Sequence, residues 1–216
     1  MTEEGVTMKL YDCAMAPSPR RVRIFLAEKG ITVPTVQVDL RNGEQFSESF
    51  RRINPECTVP VLELDDGSRI ADAIAICVYF EGLKGEPALI GRVAASRARI
   101  VAASRRAERD GFYAMVEAFR NATPGFKGRA LPGTADYEQI PALAERGRAR
   151  VARFFETMDA ELAGGAFVCG NDYSLADITV LVTIDFAKWI KLTIPESCIN
   201  LRRWHEAVSA RPSANA

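Results

Sequence analysis

Two textures of hydrophobic and polar positions divide the chain. Up to about residue 85 short apolar runs alternate with helical stripes, and from about residue 88 onward helical spacing alone remains. In the first part, residues 8–11 read as a strand and 17–29 as a helix with Val22, Phe25, Leu26 and Lys29 on one face. Gly30 ends that helix, because glycine enters the left-handed conformation of a helix stop without a Cβ penalty. Residues 33–40 read as a second strand, and 46–53 as a short helix closed by Asn54-Pro55. Residues 61–64 and 68–71 form a hairpin about Asp65-Asp66-Gly67, and 72–83 a helix carrying Ile76, Val78, Tyr79 and Phe80. The order βαβαββα predicts a small mixed sheet with helices on its faces.

The second part predicts helices only. Residues 94–120 form a long Ala- and Arg-rich stripe, 124–141 a Pro- and Gly-punctuated break, and 140–162 a second long helix. Ser174-Leu175-Ala176-Asp177 is an acidic variant of the capping box, with Tyr173 placed for a hydrophobic staple. The helix it opens, 175–190, is apolar on nearly every side and predicts a buried spine. A last short helix covers 201–210. The expected fold class is α/β plus all-α, with one domain over residues 8–85 and an all-helical one over 92–212.

Charge and composition narrow the partners. The formal net charge of the 216 residues is zero, which argues against nucleic acid or an anionic membrane held by long-range attraction. The Arg-rich stretches 97–109 and 146–153 are mixed with Ala and acids and read as solvated helix faces. No apolar run approaches membrane-spanning length. The start, Met-Thr-Glu-Glu-Gly, lacks an apolar signal core, and five scattered cysteines suit a reducing compartment. The expected location is therefore cytoplasmic. With one histidine and no CxxC pair, no metal site is expected.

The chemistry-bearing stretch is Thr58-Val59-Pro60-Val61-Leu62. Pro60 cannot donate a ladder hydrogen bond, so it belongs at a strand's first residue. A cis Val59-Pro60 bond would turn the Val59 N–H and C=O outward, available to a peptide-like ligand. About a dozen residues on, Asp72 stands at a strand-to-helix junction where unpaired helix N–H groups meet whatever binds. The combination describes a pocket for a small zwitterionic peptide.

Leu10-Tyr11, Arg21-Val22-Arg23 with Glu28-Lys29-Gly30, Asn54-Pro55 with Val59-Pro60-Val61-Leu62, and Ser174-x-Ala176-Asp177 together resemble the cytosolic glutathione S-transferases. The match runs in order over nearly the whole chain. The resemblance implies a thioredoxin-like N-terminal domain, an α-helical C-terminal domain and a homodimer. It also implies glutathione as co-substrate, no metal, and a small hydrophobic electrophile as partner, held between the domains. The implied activity is detoxifying conjugation, with peroxide or disulfide reduction as a further outlet. Val59 would pair with the cysteinyl part of glutathione, Pro60 would be the cis proline, and Asp72 would meet the γ-glutamyl ammonium. Ala73 stands where the family usually has Ser. The missing hydroxyl removes a charge-assisted hydrogen bond worth roughly 1.5–3 kcal/mol, about tenfold or more in affinity.

The reaction needs a thiolate, and a free thiol with a pKa of about 8.5 is only slightly ionised at neutral pH. The donor that stabilises it belongs in Cys13-Ala14-Met15-Ala16-Pro17-Ser18-Pro19, where the family's usual hydroxyl position falls on Ala16. Ser18 is then the preferred donor and Cys13 the fallback, the latter also able to form a mixed disulfide. Ser18 reads equally well as a plain N-cap. Tyr113 and Met115 are the candidates for the electrophile pocket, while Phe112, Val116, Phe119 and Trp189 read mostly as core. Asp177 reads as structural and His205 as a surface or partly packed residue. The absence of hydroxyls at both Ala16 and Ala73 also admits a non-catalytic binding protein on the same scaffold.

Overall fold

The computed structural model describes residues 8–216, so the acidic N-terminal segment lies outside the described residues. They divide into two compact units. One comprises the residues up to Pro87 with 132–134 and the last residue, and the other residues 88–131 and 135–215.

In the first unit β1 (Lys9–Asp12), β2 (Thr35–Gln37), β3 (Val61–Glu63) and β4 (Arg69–Ile70) form one sheet in the order β2-β1-β3-β4. β1 runs parallel to β2 and antiparallel to β3, and Leu10 is registered with both Thr35 and Leu62. A parallel pair needs a crossover, and α1 (Pro17–Lys29) supplies it. With α2 (Glu48–Ile53) and α3 (Ala73–Leu83) the order is βαβαββα, a thioredoxin-like unit. Gly30 closes α1 with φ 58°, as its sequence position predicts.

Two elements differ from expectation. β2 is a three-residue exposed edge instead of spanning 33–40. Beyond Gln37 the chain turns inward to bury Val38, and the Glu44 carboxylate takes the Asp39 N–H at 2.6 Å, pulling the backbone off the sheet. The predicted helix 46–53 is a 3₁₀ turn, Glu44–Phe46, followed by α2, which Ser47 caps by accepting the Phe50 N–H at 3.2 Å. Lys29, placed on the apolar face of α1, is wholly buried. Its Nζ donates to the carbonyls of Lys84 at 2.7 Å, Gly85 at 3.3 Å and Pro87 at 2.5 Å, and it pairs with Glu81.

The second unit contains α4 (Ala94–Ala107), α5 (Tyr113–Ala122), α6 (Pro141–Glu161), α7 (Leu175–Ala187) and α8 (Ile199–Ser209). The stripe 94–120 is not one helix, because a π turn at Glu108–Phe112 separates α4 from α5. Gly111 lies in that turn, where a Cβ would stand 2.8 Å from the Phe154 ring, so the turn brings bare backbone against α6. Gly147 does the same where α5 meets α6; its Cβ would lie 2.6 Å from the Ala114 carbonyl. Arg120 orders the break after α5 by donating Nη2 to Arg129 O at 2.6 Å and Leu131 O at 2.8 Å, and burial pushes its guanidinium down to about 10. Every residue of α7 except Asp185 is buried, which makes it the spine of this unit. Asp177 accepts from Ser174 N–H at 3.0 Å and Oγ at 2.9 Å, and from Val168 N–H and Trp204 Nε1 at 2.9 Å each. Burial pushes its carboxyl up while these donors pull it down. No described helix is long and apolar enough to cross a membrane.

Candidate functional site

The Val59-Pro60 peptide bond is cis. Asn54, 3% exposed, shapes the approach to it: Nδ2 donates to Thr58 O at 2.9 Å and Oγ1 at 3.0 Å, and Oδ1 accepts the Glu56 N–H at 3.1 Å. Cys57, between them, takes a left-handed φ of 55°, uncommon for a residue with a Cβ. The Val59 side chain packs on the cluster of Tyr11, Val38, Phe50 and Val61. Its main chain is left over: among the described residues neither the Val59 N–H nor its C=O makes a hydrogen bond. Unpaired N–H and C=O on one extended residue are what a strand-like peptide ligand pairs with. Asn54 was legible only as a helix stop, and its clamp on Thr58 is a contact that spacing does not reveal.

Asp72 is exposed and caps α3, accepting the Ala75 N–H at 2.8 Å. The Ala73 and Ile74 N–H groups at the same helix start have no partner among the described residues. A carboxylate with free oxygen lone pairs beside unpaired helix amides offers complementary contacts to an ammonium and a carboxylate on one ligand. Ala73 is 3% exposed, so the residue is buried at the helix start.

The turn between β1 and α1 holds the remaining candidates. Pro17 is the first helical residue and Ala16 the N-cap, with no side-chain cap bond. Ser18 is therefore the second residue of the helix, and its reading as a plain N-cap is corrected: the pyrrolidine of Pro17 starts the helix one residue earlier. The Ser18 Oγ is half-buried and accepts from Arg21 Nη2 at 3.3 Å, leaving its own proton to donate. Because Pro17 and Pro19 have no N–H and the Arg20 N–H is given to Ala16 O, Ser18 carries the amide in this first turn that has no partner among the described residues. Cys13 is half-buried with a free thiol, and its carbonyl accepts the Ala16 N–H at 2.9 Å.

In the helical unit the two pocket candidates separate. Tyr113, the first residue of α5, is 48% exposed, while Met115 is 1% exposed. Met115 is thereby withdrawn as a pocket residue, because it lies on the face of α5 turned to the core and has no surface to offer. Phe112 is also core. Phe119 packs against Trp189 at a tilt with ring centroids 5.1 Å apart, and Trp189 is 44% exposed. His205 is half-buried, with Nε2 3.0 Å from Asp185 Oδ1. Among the described residues no cluster of His, Cys, Asp and Glu could hold a metal ion.

A thioredoxin-like unit that presents the main chain beside a cis proline, joined to an all-helical unit, is the architecture of the glutathione transferases. The glutathione S-transferase N-terminal domain family matches residues 16–83 and its C-terminal domain family matches 141–207, and the chain belongs to the glutathione S-transferase family. It is 36% identical to glutathione S-transferase 2 of Saccharomyces cerevisiae over 208 residues, covering 95% of this chain and 87% of that protein. Among solved structures, a glutathione S-transferase domain-containing protein of Marinobacter aquaeolei superposes with a TM-score of 0.88 at 37% identity, covering 95% of this chain and 98% of that one. Gtt2 of Saccharomyces cerevisiae superposes with a TM-score of 0.87 at 36% identity, covering 95% and 97% respectively.

Proposed function

We propose that this glutathione transferase joins the sulfur of glutathione to small hydrophobic electrophiles. The reading is carried by one observation above others: the Val59 main chain, unpaired beside a cis proline in a chain of this family. Val59 pairs with the cysteinyl residue of glutathione as a short antiparallel strand. Asp72 receives the γ-glutamyl ammonium, and the Ala73 and Ile74 amides receive the adjoining carboxylate. The Ser18 hydroxyl and N–H donate to the sulfur, aided by the positive end of α1, so the thiol gives its proton to water and the thiolate attacks. Arg21, donating to Ser18 Oγ, polarises that hydroxyl toward the sulfur. The new bond joins sulfur to the electrophilic carbon, whose leaving group departs with the electron pair. Cys13 is the alternative donor in the same turn, and Tyr113 offers an exposed ring to the electrophile. Catalysis comes from thiolate stabilisation and positioning.

The two sheet-and-helix and all-helical segments correspond in this reading to domains at about 8–85 and 92–212. Val78 and Leu83 leave apolar surface exposed on α3 and suit a homodimer, and five free cysteines suit the cytoplasm.

Calorimetry with glutathione, paired with a chlorodinitrobenzene conjugation assay, tests the proposal. Binding and glutathione-dependent turnover are expected, whereas no heat at millimolar glutathione refutes the reading in favour of a scaffold with another ligand. Asp72→Asn refines it: asparagine caps α3 equally well but loses the charge. KM for glutathione should rise about tenfold with Tm unchanged.

A further inference from the structure

The β1–α1 turn is exposed at Ala14 and Met15, yet side chains from outside grip its peptide groups. Arg23, one turn and a half into α1, donates Nη2 to Ala14 O at 2.9 Å and Nη1 to Cys13 O at 3.5 Å. Gln37, at the end of β2, accepts the Ala14 N–H on Oε1 at 2.9 Å. Both side chains converge on Asp12, which is 1% exposed: Arg23 Nη1 lies 2.6 Å from Oδ1, and Gln37 Nε2 2.8 Å from Oδ2. Asp12, Arg23, Ala14 and Gln37 thus close a ring of hydrogen bonds in which both peptide groups of Ala14 are bound. The Met15 and Ser18 N–H groups stay unpaired among the described residues.

This ring is not needed for the sheet. The β1–β2 pairing is carried by main-chain bonds, and Gln37 is exposed and buries no core. A carboxylate as deeply buried as Asp12 is costly to desolvate unless its partners hold it, so its placement marks a strong local demand for order. A turn with an exposed tip and few apolar contacts is otherwise drawn from the low-stability end of a fold. With alanine at position 16, main-chain donors carry more of the sulfur's stabilisation, and donors act best when fixed before the charge develops.

We propose that Asp12, Arg23 and Gln37 are positioning residues that lock the β1–α1 turn, so that its unpaired donors meet the glutathione sulfur already aligned. The inference rests on the reading that this turn holds the sulfur. The Arg23 charge is balanced by Asp12 within the ring, so the effect is geometric.

The test uses Gln37→Met, which keeps length at an exposed position, and Arg23→Lys, which keeps charge but loses the two-pronged grip. The readouts are the pH dependence of kcat and the ultraviolet absorbance of the bound thiolate. In both variants the pKa of bound glutathione should rise by about half a unit to one unit, and kcat/KM fall about tenfold. KM for glutathione should stay within about twofold, since Val59 and Asp72 are untouched. A bound-thiol pKa unmoved in both variants, with any loss confined to Tm, overturns the inference and leaves the proposed function standing. A pKa moved in only one of the two variants overturns the inference, since both substitutions keep the net charge and each opens the same ring. A wild-type complex that shows conjugation but no thiolate band removes the reading beneath the inference, and the inference with it.

Discussion

At the start of α7 the donors are taken by the protein itself: Ser174 gives its N–H and hydroxyl to Asp177, and Leu175 gives its N–H to Leu89 O at 2.9 Å. At the start of α1 the cap is an alanine, two prolines remove the neighbouring amides, and the Ser18 N–H is left without a partner among the described residues. Both helices begin with the same electrostatics, a surplus of positive partial charge. In α7 that surplus is consumed by a buried carboxylate and becomes stability. In α1 it is left open and becomes reactivity toward an incoming anion. The difference lies in which side chain precedes the helix, so exchanging that chemistry should exchange the outcomes.

The largest effect is expected from Asp177→Ala, which leaves the buried Trp204 indole and Ser174 amide, and the half-buried Val168 amide, without their acceptor. A loss of about 3–5 kcal/mol should appear as a Tm lower by about 10 °C, measured by thermal denaturation. A drop under about 1 kcal/mol would show that the closed start is not what holds this unit. Ser18→Ala should do the reverse. kcat/KM for conjugation should fall by about 1.5–3 kcal/mol, roughly tenfold to a hundredfold, with Tm nearly unchanged because Ser18 caps nothing. Unchanged turnover would pass the donor role to Cys13 or to the main chain.

Ala73→Ser adds the hydroxyl absent from α3, and titration should show glutathione binding about tenfold tighter. No gain would mean that the buried methyl of Ala73 points away from the ligand. The smallest effect, and the most direct on the comparison, is expected from Ala16→Asp. An aspartate there would cap the Ser18 N–H and stabilise the protein by about 0.5–1 kcal/mol, while its charge opposes the thiolate and slows conjugation severalfold. Faster turnover in this variant would contradict the assignment of α1 as the anion-facing helix.

Local signals carried much of this architecture. Pro17 and Gly30 bracket α1, Ser174 and Asp177 announce α7, and Pro60 marks the start of β3, because each acts within a few residues of its own position. What sequence patterning missed depends on partners distant in the chain. The π turn interrupts an unbroken helical stripe because Phe154 lies against Gly111, a demand from another helix. The ring about Asp12 joins residues 11 and 25 positions away, so no spacing rule points to it. Tyr113 and Met115 part ways, one exposed and one buried, because a helical stripe shows that one face is buried but not which apolar residue reaches the surface. At the site, the cis proline segment and Asp72 were legible as a pattern, and the surroundings of Ser18 were not.

Lys29 carries a consequence for anyone dividing the chain. Its ammonium is satisfied by carbonyls at Lys84, Gly85 and Pro87, all beyond the last residue of α3. Truncation at Leu83, where the helix visibly stops, would strand a cation in the interior with Glu81 as its sole remaining counterpart from that stretch. A separately produced sheet half should therefore fold only when its reading frame extends through Pro87.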